Sequence, residues 1–159
     1  MKNKKILYIT QAAVVAALYV ALTFFSYLLG LDKLAVQVRF SEALCILPFF
    51  MPAAIPGLFI GCILSNLLFG AIVWDIIFGS IATLIGAFIS SKIKNKWLVP
   101  LPTVVANTAT VPPILVFAYK VEQAYPLAVL GVFAGEVVSC YILGTLLLLA
   151  LEKRKNIFN

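Results

Sequence analysis

Long apolar stretches alternate with short polar ones along the whole chain. A helix needs about 20 apolar residues to cross the hydrocarbon core of a bilayer, so 159 residues leave room for about six passages with short connections. The pattern predicts one all-α integral membrane domain over residues 1–159. The predicted spans cover residues 6–29, 41–51, 55–70, 74–90, 98–119 and 125–151.

Clusters of basic residues flank the apolar stretches and predict the topology. They lie at residues 2–5, 92–96 and 153–155. Because basic loops stay on the cytoplasmic side, an even number of spans must separate any two clusters. Residues 41–70 meet this condition as two short spans and break it as one long span. The sequence therefore predicts a multi-pass, six-transmembrane-helix bundle in a bacterial plasma membrane, with both termini cytoplasmic.

The composition agrees with this class and argues against several functions. The chain is 64% hydrophobic and 11% charged, whereas soluble domains have about 25% charged residues. Although the net charge is +6, it lies in the flanking clusters, so we expect no nucleic-acid partner. The sequence has no histidine, no CxxC pair and no HExxH, GxSxG or P-loop motif. We therefore expect no catalytic residues, no metal and no cofactor in this chain.

A few polar residues stand at membrane depth. Glu136 is the clearest case, since apolar sequence surrounds it inside the last span. A charged carboxylate there costs roughly 2.5–3.5 kcal/mol, so it should face a cavity or a partner. The predicted topology brings other polar and aromatic residues to the same outer half, and such a set suits a small, flat, nitrogen-rich ligand. The predicted ligand-binding residues are Gln37, Arg39, Glu42, Asn66, Trp74, Asp75, Asn107, Tyr125 and Glu136.

Arg39 and Glu42 are three residues apart, which is helical spacing, and Ser41 suits the cap of a helix that begins there. They can contact the ligand or form an ion pair with each other. We favour a supporting role for Glu42 and direct ligand contact for Glu136.

Small residues recur at four-residue spacing in the first span. They form two pairs, Ala12 with Ala16 and Ala13 with Ala17. Such faces allow close helix approach, because lipid provides no hydrophobic drive for association. The partner is either another helix of this chain or a different subunit.

Three segments resemble the QueT family, the queuosine-precursor transporters. They are residues 37–44, 57–66 and 75–84. Members of this family are substrate-binding S components of energy-coupling-factor (ECF) transporters. The resemblance implies a six-helix ECF S-component fold with the ligand near the outer face. It also implies that the alanine faces of the first helix dock on a membrane coupling subunit carrying two ATPases, which use ATP.

The resemblance further implies the substrate, namely queuosine, queuine or the aminomethyl-deazaguanine precursor, and a lid formed by the loop 30–39. Two alternatives stay open. One is an S component for another vitamin, such as thiamin or riboflavin. The other is a stand-alone ion-coupled carrier, although the sequence has no detectable inverted repeat.

Overall fold

The computed structural model describes residues 2–31 and 36–153, and within these ranges the chain forms helices and connecting turns without a strand. Residues 32–35 of the predicted lid loop and residues 154–155 of the third basic cluster lie outside the described residues. The helices in chain order are α1 (Lys2–Leu28), a 3₁₀ helix (Phe40–Phe49), α2 (Ala54–Leu68), a π-helical turn (Asp75–Gly79) leading into α3 (Ser80–Ser90), a short 3₁₀ turn (Lys96–Leu98), α4 (Leu101–Pro113) with its π-helical continuation (Ile114–Ala118), α5 (Tyr125–Glu136), a π-helical segment (Val137–Leu143) and α6 (Gly144–Glu152).

These segments run alternately between two ends of a bundle. At the end we call upper, the ring of Phe69 stacks with Phe24 and Tyr27, with centroids 5.8 and 5.5 Å apart. At the opposite, lower end, Lys96 forms an ion pair with Glu152 at 2.9 Å. The beginning of α1 and the end of α6 both lie at the lower end, where they line one apolar groove.

The helices coincide with the predicted spans to within about one turn. Among the described residues, three helices are long and apolar enough to cross a membrane, namely Asn3–Leu28, Lys96–Ala118 and Tyr125–Glu152. The helices at Phe40–Phe49, Ala54–Leu68 and Asp75–Ser90 are apolar but shorter. The number of membrane crossings and the orientation of the termini stay predictions.

The second helical segment lies within the protein core. It is a 3₁₀ helix, and the rise of about 2.0 Å per residue gives its 10 residues a length of about 20 Å, against about 15 Å for an α-helix. Every side chain from Ser41 to Pro48 is buried, as expected for a helix that is apolar on nearly all sides. The predicted Ser41 cap is wrong. The helix begins one residue earlier, and the Ser41 hydroxyl has no hydrogen-bond partner.

Two glycines of α2 allow it to approach α1 closely. A Cβ placed on Gly57 would lie 2.7 Å from the Ala12 carbonyl oxygen, and one on Gly61 would lie 2.7 Å from Cβ of Tyr19. Ala16 is buried in the same contact. The Ala12–Ala16 face of α1 therefore packs within this chain.

Left-handed glycines end α1 and α2 at the upper end. Gly30 has a φ of 68° and Gly70 a φ of 75°, values that a residue with a Cβ rarely adopts. The lower half of the bundle is filled by a set of buried aliphatic side chains, which we call the apolar plug. It consists of Leu44, Ile46, Leu47, Leu58, Val99, Val104 and Leu148.

Candidate functional site

Residues 36–39 form an extended segment, which we call the strap. It enters the bundle between α1 and the last continuous helical stretch, Tyr125–Glu152. The Arg39 backbone N–H donates to the Ser139 hydroxyl at 3.1 Å. The next backbone N–H, that of Phe40, donates to the Ser26 hydroxyl at 2.8 Å. One helical turn before Ser139, a Cβ on Gly135 would overlap the backbone of Gln37. These contacts hold the strap against both helices.

The strap borders a small enclosed cavity of about 20 Å³, the inner cavity. The cavity brings together six residues predicted to bind a ligand. They are Gln37, Arg39, Glu42, Asp75, Asn107 and Glu136. Because the elements that supply them are far apart in the sequence, only the fold makes them neighbours.

Glu42 is held in place by two side chains. It is 4% exposed and accepts a hydrogen bond from the Tyr19 hydroxyl at 2.5 Å. Its other carboxylate oxygen accepts from the Asn107 carboxamide at 3.4 Å. These two hydrogen bonds fix the orientation of the carboxylate. Sequence reasoning missed Tyr19, because a tyrosine in an apolar helix is usually a packing residue.

Glu136 lies beside Glu42 in the buried centre of the bundle. The Cys140 thiol donates to a carboxylate oxygen of Glu136 at 3.4 Å and approaches the Glu42 backbone carbonyl at 3.6 Å. Among the described residues, ligand atoms of Glu42, Glu136 and Cys140 lie within 4.8 Å of one another. A cation or a hydrogen-bond donor placed between these two carboxylates would interact with both of them.

Arg39 is the basic side chain of the inner cavity, but it does not pair with Glu42. The ion pair within 4 Å that the described residues form is the one between Lys96 and Glu152. The predicted alternative of an Arg39–Glu42 ion pair is therefore wrong. The reason is conformational, since Arg39 has φ −117° and ψ 114° and precedes the helix rather than belonging to its first turn.

A larger cavity of about 290 Å³, the upper cavity, lies toward the upper end and shares Arg39 and Asp75 with the inner one. Its wall includes Ser65, which is 1% exposed and whose hydroxyl has no hydrogen-bond partner. Asn66 lies next to it and donates from its carboxamide to the Asp75 backbone carbonyl at 3.3 Å. Its aromatic wall includes Phe69.

Tyr119 closes one side of the upper cavity. Its hydroxyl donates to the Asp75 carboxylate at 3.3 Å and accepts the Ile72 backbone N–H at 3.1 Å. A tyrosine phenol loses its proton only at about pH 10. The phenol therefore stays protonated at neutral pH and remains a hydrogen-bond donor.

Two of the predicted ligand-binding residues lie away from both cavities. Trp74 is 58% exposed and stacks on Phe78, with ring centroids 5.9 Å apart. Tyr125 is also exposed and packs against Phe117 at 6.3 Å. Successive helical residues point about 100° apart, so the neighbour of a cavity residue usually faces elsewhere. Neither ring lines the inner or the upper cavity, and a ligand role for them stays a prediction.

Comparison with known proteins relates this architecture to a family. A family model described as QueT transporter matches residues 9–153. The matched region includes the strap, both cavities and nearly all of the helical bundle. No curated protein and no solved structure gives a match.

Proposed function

Since this chain belongs to the QueT transporter family, we propose that it is the substrate-binding S component of an ECF importer, capturing queuosine, queuine or a deazaguanine precursor from outside the cell. Family membership and the long apolar helices make it a membrane transport protein, in a family of transporters rather than enzymes. The observation that carries the proposal is the pair of neighbouring polar cavities, with Arg39 and Asp75 in both walls, within an apolar bundle.

The polar groups of these cavities suit a guanine-like ring. Its ring N–H and exocyclic amine are donors, which carboxylates accept, and its carbonyl oxygen is an acceptor, which Arg39 matches. Phe69 and Tyr119 offer aromatic faces for stacking. A volume of about 290 Å³ stands near the lower limit of small-molecule pockets, so it suits a base or nucleoside-sized ligand.

The partners are proposed from the surface of α1. Ala13 and Ala17 are exposed, whereas Ala12 is partly buried and Ala16 is buried against α2. We assign subunit docking to the Ala13–Ala17 face, because small residues there allow a second membrane helix to approach closely. The proposed partners are a membrane coupling subunit and its two ATPases, which hydrolyse ATP.

Isothermal titration tests the ligand class. The purified full-length chain in nanodiscs is titrated with queuine, aminomethyl-deazaguanine, thiamin and riboflavin. We expect binding of the deazaguanines alone. Silence with every deazaguanine would reject the proposal, and binding of thiamin or riboflavin would favour an S component for another vitamin.

Uptake measurements test the energy source. Cells expressing the chain with the coupling subunit and ATPases should accumulate labelled queuine, and an ATPase-inactive variant of the partners should abolish this. Uptake that survives removal of the ATPases and collapses with a protonophore would instead favour a stand-alone ion-coupled carrier.

A further inference from the structure

Carboxylate side chains outnumber basic side chains in the wall of the inner cavity. Three carboxylates, those of Glu42, Asp75 and Glu136, face the single guanidinium of Arg39 within the inner cavity. Two of the three carboxylates therefore lack a basic partner in the cavity wall. Unpaired charge is costly in the interior of a membrane protein, so a ligand that brings positive charge would gain affinity there.

The two cavities differ in the size of group that they admit. The inner cavity, of about 20 Å³, has room for one group of the size of a water molecule. The upper cavity, of about 290 Å³, can hold a ring system. Both are bordered by Arg39 and Asp75, so the two cavities are neighbours on either side of these residues.

We propose that the inner cavity binds a protonated amine of the ligand between Glu42 and Glu136, while the ring system occupies the upper cavity. This inference rests on the proposed function, and it adds the charge and the orientation of the ligand. The amine lies deepest, toward the apolar plug. In the upper cavity, the unpaired and buried Ser65 hydroxyl gains a hydrogen-bond partner from the ring.

An ammonium fits the inner cavity better than a metal ion does. Hard cations such as Ca²⁺ take six or more oxygen ligands, and structural zinc sites take four protein ligands. Among the described residues, this cluster offers three ligand atoms, one each from Glu42, Glu136 and Cys140. An ammonium instead has three N–H donors. Two carboxylates accept from it, and the Asn107 carboxamide oxygen is a further acceptor, because the amide nitrogen donates to Glu42.

Two probes with the same ring test this inference on the unmodified chain. One is aminomethyl-deazaguanine, whose amine is protonated at neutral pH, and the other is its neutral cyano analogue. We expect the amine to bind at least ~30-fold more tightly in isothermal titration at pH 7, because buried charge pairs contribute strongly to affinity. Equal affinities would overturn the inference but leave the proposed function standing. Silence with both probes would reject both.

Variants then locate the amine. Glu136→Gln should weaken binding of the amine probe at least ~10-fold and leave binding of the cyano probe within about twofold, since only the charge partner is lost. Glu122→Gln is the matched control, because Glu122 is exposed and lines neither cavity; it should change neither affinity. Equal weakening of both probes by Glu136→Gln would overturn the assignment of the amine to the inner cavity. If this variant does not fold, the comparison of probes on the unmodified chain still decides.

A titration with Mn²⁺ and Zn²⁺ alone separates the two kinds of cation. The inference predicts no saturable heat with either metal. Saturable binding that Glu136→Gln removes would show that the Glu42–Glu136–Cys140 cluster is a metal site, and it would overturn the assignment to an amine.

Discussion

Replacement of Gly135 by alanine should displace the strap and weaken ligand binding without unfolding the bundle. An alanine Cβ would lie 2.7 Å from the Gln37 carbonyl carbon and would overlap the carbonyl oxygen itself. An ordinary contact is about 3.4 Å or more, so relief of the carbon contact alone needs a shift of about 0.7 Å, and the carbonyl oxygen, which lies closer still, needs a larger one. Because the obstacle is backbone on both sides, a rotamer change cannot relieve the overlap.

The magnitude follows from the contacts that hold the strap. Overpacking of this kind costs about 1–3 kcal/mol. If that free energy separates the wild-type strap position from the displaced one, affinity falls about 5- to 150-fold. Displacement also strains the hydrogen bonds from the Arg39 and Phe40 backbone to Ser139 and Ser26, each of which contributes about 1 kcal/mol.

Isothermal titration with aminomethyl-deazaguanine and thermal unfolding in nanodiscs provide the two measurements. The control is Gly144→Ala in the same continuous helical stretch. Its new Cβ would lie 3.3 Å from the Ala43 carbonyl oxygen, so the neighbouring backbone needs to shift only slightly. We expect the control to keep nearly wild-type affinity. Wild-type affinity and melting temperature in Gly135→Ala would refute the argument that the strap is fixed against this glycine.

Three further predictions concern other contacts. Tyr19→Phe removes the hydroxyl that donates to a buried carboxylate, and it should lower the free energy of unfolding by about 1–3 kcal/mol in denaturant titration; an unchanged value would mean that another donor replaces it. Ala13→Leu on the exposed face of α1 should leave ligand affinity unchanged but abolish co-purification with the coupling subunit, whereas Ala12→Leu should destabilise the chain itself through its contact with α2; intact co-purification of Ala13→Leu would reject docking on that face. A double-mutant cycle on Lys96 and Glu152, each about one-third exposed, should give a coupling free energy below ~1 kcal/mol that falls in high salt, and a larger, salt-independent value would contradict their treatment as a surface pair.

Helix positions could be predicted from the sequence because the signal is local. Apolar runs of sufficient length, separated by polar turns, place each helix to within about one turn. The family prediction, made on three short segments, is confirmed by the match over residues 9–153. Glu136 also stood out locally, as an ionisable residue inside an apolar span, and the structure places it beside the inner cavity.

The contacts that define the site could not be predicted because they are not local. Tyr19 precedes its partner Glu42 by 23 residues, and nothing in an apolar helix distinguishes a tyrosine that donates to a carboxylate from one that only packs. The strap has no periodicity, and one of its anchors, Ser139, is 100 residues away. Spacing also misled the prediction for Arg39, because a helical interval of three residues does not show where the helix begins.

The apolar plug makes the two ends of the bundle different, because it fills the lower half and leaves the polar cavities in the upper half. Both polar cavities lie above it, and the side chains that compose it are at most 5% exposed. If a ligand binds beside Glu42 as proposed, we expect it to exchange only with the compartment above the plug, so that the chain alone binds the ligand without transporting it. Liposomes that hold this chain alone should retain an entrapped deazaguanine as well as protein-free liposomes do.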